Sequence, residues 1–133
     1  MSAAGGRIAV VDDDVSVRRG LDRLLRSAGY EVETHASVHA FLASDALDAV
    51  SCLILDVRMP GPSGLDLQAV LATEGRRIPI VFITGHGDIS MAVRAMKAGA
   101  ADFLSKPFDA DELFRAIELP SGVAPEGSPP PPR

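Results

Sequence analysis

The stretch Ser51-Cys52-Leu53-Ile54-Leu55-Asp56-Val57-Arg58 is a short, mostly apolar run that ends in a carboxylate. Its apolar residues follow one another instead of alternating, which is typical of a strand covered on both faces, as in a parallel sheet beneath helices. An acid that ends such a strand lies at the carboxyl edge of the sheet, where open α/β folds bind ligands. Asp56 is therefore either a functional residue or a solvated strand end, and the other strands decide between these interpretations.

Four further segments have the pattern of strands, and helical patterns separate them. The predicted strands are 7–11, 30–34, 78–84 and 101–105. The predicted helices are capped by Asp14, by Ser37, by Ser63 with Asp66, by Asp88 and by Asp109 with Glu112. Strands that alternate with helices over short connections favour an α/β fold, here a single doubly wound sheet of five parallel strands.

The predicted helix over 88–98 has a thin apolar face. Its apolar residues at helical spacing are Ile89, Ala92, Val93 and Met96. This spacing predicts that these four side chains pack against the core.

Composition narrows the class of protein. With 133 residues and a net charge of −5, the chain is expected to form one soluble domain without the basic patch of a nucleic-acid-binding protein. Its single cysteine, Cys52, lies in the apolar run and is predicted to be an inert core thiol. No apolar segment reaches the roughly 20 residues of a membrane helix. We therefore expect a cytoplasmic protein with no membrane association.

Both ends of the chain differ in composition from the middle. Residues 1–6 lack the features of a signal peptide and are predicted to be a flexible N-terminus. Residues 120–133 are rich in Pro, Gly and Ser, and they are predicted to form a disordered tail.

Four of the predicted strands end in residues with chemistry, namely Asp12-Asp13, Asp56, Thr84 and Lys106. Strands of a parallel sheet bring these ends to one edge. Close carboxylates repel unless a cation joins them, and oxygen ligands without His or Cys favour Mg²⁺. Asp56 could then attack phosphorus as a nucleophile, while Lys106 and Thr84 contact the phosphoryl oxygens.

Each residue also has a simpler interpretation. Asp14, nearest the helix start, is favoured as a cap, and Asp12 and Asp13 could be caps as well. Thr84 alone would more often be a β-branched strand residue, and a lone Lys106 would usually be a solvated amine. Their joint occurrence at one sheet edge favours a site, because charged groups that converge in one cleft mark functional sites.

These residues resemble the receiver domain of bacterial two-component response regulators, the CheY-like, flavodoxin-like fold. The chain is most similar to the FixJ-type subfamily through Ile83-Thr84-Gly85-His86-Gly87-Asp88, through 95–100 and through Lys106-Pro107-Phe108. The resemblance covers about residues 7 to 119. It implies a receiver domain over that range with the sheet order 2-1-3-4-5.

The resemblance also implies roles for individual residues. Asp56 would be the phosphoacceptor and Lys106 the phosphate-binding lysine. The Mg²⁺ site would consist of Asp13, Asp56 and the backbone carbonyl of Arg58, and Asp12 would hold a metal-bound water.

Further roles concern switching and rate. Thr84 and Phe103 would change position together on phosphorylation, and Lys106-Pro107 matches the family's cis peptide. Arg58 and His86 match positions that tune the lifetime of the phosphate.

The resemblance implies partners too. The phosphoryl donor would be a phosphohistidine on a sensor histidine kinase, and a homodimer could form through the face of helix 88–98, strand 101–105 and helix 109–119. The thin helix over 88–98 would be a mobile switching face, since Met and Ala fill a surface that can re-pack. FixJ-type regulators continue into a DNA-binding domain, which nothing after Pro120 could form. We therefore expect either a single-domain regulator without an output domain and without direct DNA binding, or the receiver part of something longer.

Two other hypotheses remain at this point. A haloacid-dehalogenase-like phosphatase would use Asp12 and Asp14, which satisfy its D-x-D pattern, but here the helix starts almost at once after them. A binding-only pseudo-receiver would lack phosphorylation, although every residue needed for phosphorylation is present.

Overall fold

A computed structural model describes residues 7–44, 49–59, 61, 63–76, 78–85 and 89–118. The strands of this part of the chain are β1 (Arg7–Val11), β2 (Glu31–His35), β3 (Val50–Asp56), β4 (Ile80–Thr84) and β5 (Asp102–Ser105). The helices are α1 (Val15–Ser27), α2 (Val38–Ala43), α3 (Gly64–Thr73), α4 (Ile89–Lys97) and α5 (Ala110–Glu118). The predicted flexible residues 1–6, the predicted tail 120–133 and His86 lie outside the described residues.

The strands form a single sheet in the order β2-β1-β3-β4-β5, and all neighbouring strands are parallel. The predicted α/β class and strand order are therefore confirmed. The register pairs Val11 with Leu55, and it pairs Thr84 with Ser105. As a result, the residues that end or follow β1, β3, β4 and β5 meet along one edge.

The continuous apolar pattern of β3 reflects helices on both sides of the sheet. Leu53 and Leu55 belong to the core layer shared with α2, α3 and α4, whereas Cys52 and Ile54 belong to the layer shared with α1 and α5. All four side chains are fully buried. Burial raises the pKa of the Cys52 thiol to about 12, so the thiol is un-ionised in the core, as predicted.

Local capping explains where the helices begin. Asp14 accepts hydrogen bonds from the amides of the first turn of α1, and Ser37 accepts one in α2. Ser63 and Asp66 form a capping box at α3. Asp109 and Glu112 exchange the equivalent pair of bonds at α5. These caps satisfy amides that have no partner inside their helix, and all four are at the predicted positions. The fifth predicted cap, Asp88, lies outside the described residues.

The packing of α4 differs from the prediction. Ala92 and Ala95 are the fully buried residues of its described part, whereas Val93 is 45% and Met96 38% exposed. The predicted core positions of Val93 and Met96 are therefore wrong. The two alanines allow this helix to lie close to the sheet, and Met91 packs partly buried against the same core layer. The side chain of Ile89, the fourth predicted core position, lies outside what the structure describes.

Helix α1 presents arginines to solvent. Arg19 and Arg23 are exposed, and Arg26 pairs with Asp22 at 2.7 Å while donating to the carbonyl of Val32 on the edge strand β2. With 13 residues, α1 is also the longest described helix. None of the described helices could cross a membrane.

Candidate functional site

Three carboxylates meet at the carboxyl edge of the sheet. Asp12 follows β1, Asp13 comes next, and Asp56 ends β3, which pairs with β1. One oxygen from each of these residues lies within 4.8 Å of the others. Asp12 is fully buried, and only 12% of the Asp56 side chain is exposed. The fold thus holds three acids together, with Asp12 and Asp56 largely shielded from water and Asp13 exposed.

The side chain of Asp12 is only half satisfied by the protein. Its Oδ1 accepts a hydrogen bond of 2.8 Å from the amide of Asp14. Its Oδ2 is buried and has no hydrogen-bond partner among the described residues. Burial raises the pKa of Asp12, while the Asp14 amide and the Lys106 ammonium oppose that rise. The ammonium group of Lys106, 3.7 Å away, is too far for a hydrogen bond, so this buried oxygen can still take a metal ion or a water molecule as its partner.

Asp56 is held by the backbone that follows it. The amide of Arg58 donates to Oδ1 at 2.9 Å, and the ammonium group of Lys106 lies 3.9 Å from Oδ2. Burial raises the pKa of Asp56 to about 6, and the negative charge of Asp12 adds to this effect. The Arg58 amide and Lys106 stabilise the carboxylate and limit the rise.

Lys106 brings a positive charge to both acids. Its Nζ lies 3.7 Å from Asp12 Oδ2 and 3.9 Å from Asp56 Oδ2. The backbone fixes its position, because its amide donates to the Thr84 carbonyl at 2.9 Å. The bond between Lys106 and Pro107 is cis, as the family resemblance implies.

Thr84 and Phe103 lie on the strands that complete this edge. Thr84 ends β4 and is only 3% exposed. Phe103 pairs with Phe82 in the sheet and is half-buried against the layer that contains α4. The coupled movement of Thr84 and Phe103 stays a prediction. The roles of Arg58 and His86 in setting the lifetime of the phosphate also stay predictions; Arg58 is exposed.

Gly64 fixes the distance between α3 and the end of β3. A Cβ atom at this position would lie 2.5 Å from the backbone oxygen of Asp56 and 2.9 Å from Cε1 of Phe82. The Gly64 amide also donates to the Val57 carbonyl at 3.3 Å. Only glycine allows the helix to start this close to the candidate site.

Two residues near the site were missed by sequence reasoning. Arg18 donates to the backbone carbonyl of Asp12 at 2.7 Å, but nothing distinguishes it from the other arginines of α1. Gln68 is 7% exposed and donates to the carbonyl of Ala95 on α4 at 3.0 Å. The sequence does contain a signal for Gln68: it is a polar residue on the helix positions that Gly64 and Leu67 share, which α3 buries.

The donor set fits a hard divalent cation. All three candidate side chains offer carboxylate oxygens, which Mg²⁺ prefers over nitrogen or sulfur ligands. The unsatisfied Oδ2 of Asp12 provides an independent observation, since a cation or its bound water would supply the missing partner.

Comparison with known proteins decides the family. The response regulator receiver domain family matches residues 8–118. The chain belongs to this family. Nodulation protein W of Bradyrhizobium diazoefficiens is 57% identical over 110 residues, which cover 83% of this chain and 48% of that protein.

The receiver domain is also similar to FixJ proteins, as predicted. The transcriptional regulatory protein FixJ of Bradyrhizobium diazoefficiens is 47% identical over 115 residues, which cover 85% of this chain and 55% of FixJ. The crystal structure of FixJ-N superposes with a TM-score of 0.81 at 42% identity, covering 90% of this chain and 96% of that one.

These comparisons establish a receiver domain of two-component response regulators. Neither the dehalogenase-like phosphatase nor the pseudo-receiver hypothesis is favoured by them. The chain spans about half the length of the curated relatives it matches.

Proposed function

We propose that Asp56 accepts a phosphoryl group and that this receiver domain acts as a signalling switch. The observation that carries the proposal is the convergence of Asp12, Asp13 and Asp56 with the ammonium group of Lys106. Carboxylates alone would suit a cation-binding site. The lysine adds a positive charge beside the candidate nucleophile, where the oxygens of an incoming phosphoryl group would need it.

Asp56 supplies the nucleophile in this proposal. The Arg58 amide holds Oδ1, so Oδ2 is the oxygen that attacks phosphorus. A bond forms between this oxygen and phosphorus, and the bond from phosphorus to the donor's imidazole nitrogen breaks. The electron pair leaves on that nitrogen, which takes up a proton. The product is an acyl phosphate on Asp56.

The candidate ligands of Mg²⁺ are Asp13, Asp56 and the backbone carbonyl of Arg58, and Asp12 would hold a metal-bound water. When bound, the ion would orient the phosphoryl group and neutralise part of its charge. The protein's own contribution is to hold these oxygens close together before the donor arrives.

Lys106 and Thr84 bind the phosphoryl oxygens in this proposal, and Phe103 follows the movement of Thr84. Lys106 and Thr84 are already joined through their backbones. A displacement of Thr84 would therefore also move Lys106, and the reverse. Arg58 and His86 tune how long the phosphate lasts.

The proposed donor is a phosphohistidine on a sensor histidine kinase, met in the cytoplasm. Support comes from the family and from relatives such as FixJ, which is a transcriptional regulatory protein. The unit that accepts phosphate spans residues 7–119 in this proposal. The residues on either side of it would not be needed for the chemistry.

Labelling with a small phosphodonor tests the phosphoacceptor. With Mg²⁺, intact-protein mass spectrometry should show one added phosphoryl group that is stable in acid and labile in base. Asp56→Asn should abolish it, whereas Asp111→Asn, which changes an exposed acid of α5, should label as the wild type does. Repeated turnover of a phosphate ester that depends on Asp12 would instead support a phosphatase. The absence of both label and metal binding would support a pseudo-receiver.

A homodimer through α4, β5 and α5 is a further part of the proposal. Val93 and Met96 expose apolar surface on α4, which a second copy could cover. Sedimentation of the phosphorylated protein should then show a dimer that Val93→Asp disrupts. Val70→Asp is the matched control, since Val70 is similarly exposed but lies on α3. Equal effects of both variants would place the dimer elsewhere.

A further inference from the structure

Gln68 is a buried polar residue outside the acidic cluster. Four polar or charged residues are buried in the described part of the chain, and the other three are Asp12, Asp56 and Thr84. The amide of Gln68 donates to the carbonyl of Ala95 at 3.0 Å, so one hydrogen bond crosses from α3 to α4. A buried amide is costly without its partner, which makes this bond specific for one arrangement of the two helices.

Among the described side chains of α4, few large apolar groups hold the helix in place: Met91 packs against the core but is only partly buried. The fully buried described side chains of α4 are those of Ala92 and Ala95, whereas α3 buries Leu67 and Leu71. An alanine removes far less apolar surface from water than a leucine does. The hydrogen bond from Gln68 therefore contributes a larger fraction of the packing free energy of α4 than one hydrogen bond would contribute to a helix that buries leucines.

The same face of α3 contacts the candidate phosphoacceptor. Gly64 and Gln68 are four residues apart and hence on one side of the helix. Gly64 lies against the backbone oxygen of Asp56, and Gln68 holds Ala95. Helix α3 is thus a direct physical connection between the end of β3 and α4, separate from the Thr84 and Phe103 positions.

The bond is placed at the last turn of α4. The Ala95 carbonyl also accepts the amide of Ala100 at 3.0 Å, and Gly99 ends the helix with φ +106. Gln68 therefore holds the last turn of α4. Because Gly64 lies against the end of β3, a shift of that strand end would reach this hydrogen bond through α3.

We propose that Gln68 is a positioning residue of the switch. Its amide holds α4 against α3 in the unphosphorylated chain, and phosphorylation of Asp56 weakens this bond. The second half of this inference rests on the proposed function. The first half concerns only the unphosphorylated protein.

Hydrogen exchange of the full chain tests the first half. In Gln68→Met, which has a similar volume but no donor, amides of residues 91–100 should exchange about fivefold faster than in the wild type. Gln68→Leu, which also lacks a donor, should show the same change. Thr73→Val is the matched control, because it removes an exposed hydrogen bond inside α3 and should leave α4 unchanged. Wild-type exchange in both Gln68 variants would overturn the proposal.

The response to phosphorylation tests the second half. With Mg²⁺ and a small phosphodonor, exchange in α4 should rise in the wild type and in Thr73→Val but rise less in Gln68→Met, where the bond is already lost. An equal rise in all three proteins would contradict the switching role. If Asp56 takes no label, the proposed function fails, while the comparison of unphosphorylated proteins still decides whether Gln68 holds α4.

Discussion

Gly64 lies so close to Asp56 that a single added carbon on its Cα would come within 2.5 Å of the Asp56 backbone oxygen. The start of α3 therefore rests directly on the strand end that carries the candidate phosphoacceptor. Neither the helix nor the strand can shift without the other. This contact links the stability of the domain to the geometry of its site.

Replacing Gly64 with alanine should destabilise the domain. The backbone of Gly64 is not in the left-handed region, so the cost comes from the collision with Asp56 and Phe82. Overpacking of this kind costs about 1–3 kcal/mol. Gly20→Ala is the matched control, since nothing lies within 4 Å of a Cβ at that helical position. It should stabilise by about 0.5–1 kcal/mol. Urea denaturation checks both, and equal changes in the two variants would contradict the close contact.

Asp56→Asn should stabilise the metal-free protein at neutral pH. Burial raises the pKa of Asp56 to about 6 from an ordinary value of 3.8. A raised pKa means that the folded state binds its proton more tightly, so this contribution to stability is present below about pH 4 and lost as pH rises through about 6. The shift corresponds to at most on the order of 3 kcal/mol.

Denaturation at pH 4 and pH 7.5 checks this sign. The advantage of Asp56→Asn should be seen at pH 7.5 and shrink at pH 4, and Mg²⁺ should stabilise only the wild type. Asp111→Asn, at an exposed position, should change little at either pH. An Asp56→Asn protein that is less stable than the wild type at pH 7.5 without metal would contradict the cost of ionising Asp56.

Lys106→Met should have opposite effects on metal binding and phosphorylation. The ammonium group competes with a cation for Asp12 and Asp56, so its removal should tighten Mg²⁺ binding. Because 35% of the Lys106 side chain is exposed, the gain should be modest, about fivefold or less. Labelling by a small phosphodonor should fall sharply.

Calorimetric titration with Mg²⁺ and mass spectrometry measure these two effects. Lys97→Met is the matched control, because Lys97 is exposed on α4 and should change neither. Weaker Mg²⁺ binding in Lys106→Met would mean that Lys106 organises the carboxylates more than it competes with the ion.

Cys52 should report global unfolding. Its thiol is fully buried, and burial raises its pKa to about 12, so thiolate is scarce and reagents have no access. An aromatic disulfide reagent should react very slowly with the folded protein and completely in denaturant. The rate should follow the fraction unfolded across a urea titration. Rapid reaction without denaturant would show that the core layer beside α1 opens locally.

The sequence predicts the local features of this fold well. The apolar run of β3 and the cap residues Asp14, Ser63 and Asp109 act within a few residues of themselves, so their spacing is sufficient. The order of the strands in the sheet could not be predicted from local spacing. Short right-handed connections permit several orders, and only the family resemblance indicated 2-1-3-4-5.

Features that depend on close approach were not predictable in this way. The predicted face of α4 included Ala92 correctly but also Val93 and Met96, whereas the helix packs through Ala92 and Ala95, because small side chains allow the backbone near the sheet. Gln68 and Arg18 bond to backbone carbonyls. Every residue has a backbone carbonyl, so the sequence does not indicate which carbonyl Gln68 or Arg18 will bind.

The register that gathers the site also controls when the site first exists during synthesis. Asp12 precedes α1 near the start of the described chain, whereas Lys106 follows the last strand near its end. A partly made chain on the ribosome can expose its early aspartates but cannot supply their lysine until β5 has joined the sheet. The proposed phosphoacceptor site is therefore assembled only after β5 has joined the sheet, and a chain that stops or misfolds before that point would lack its lysine.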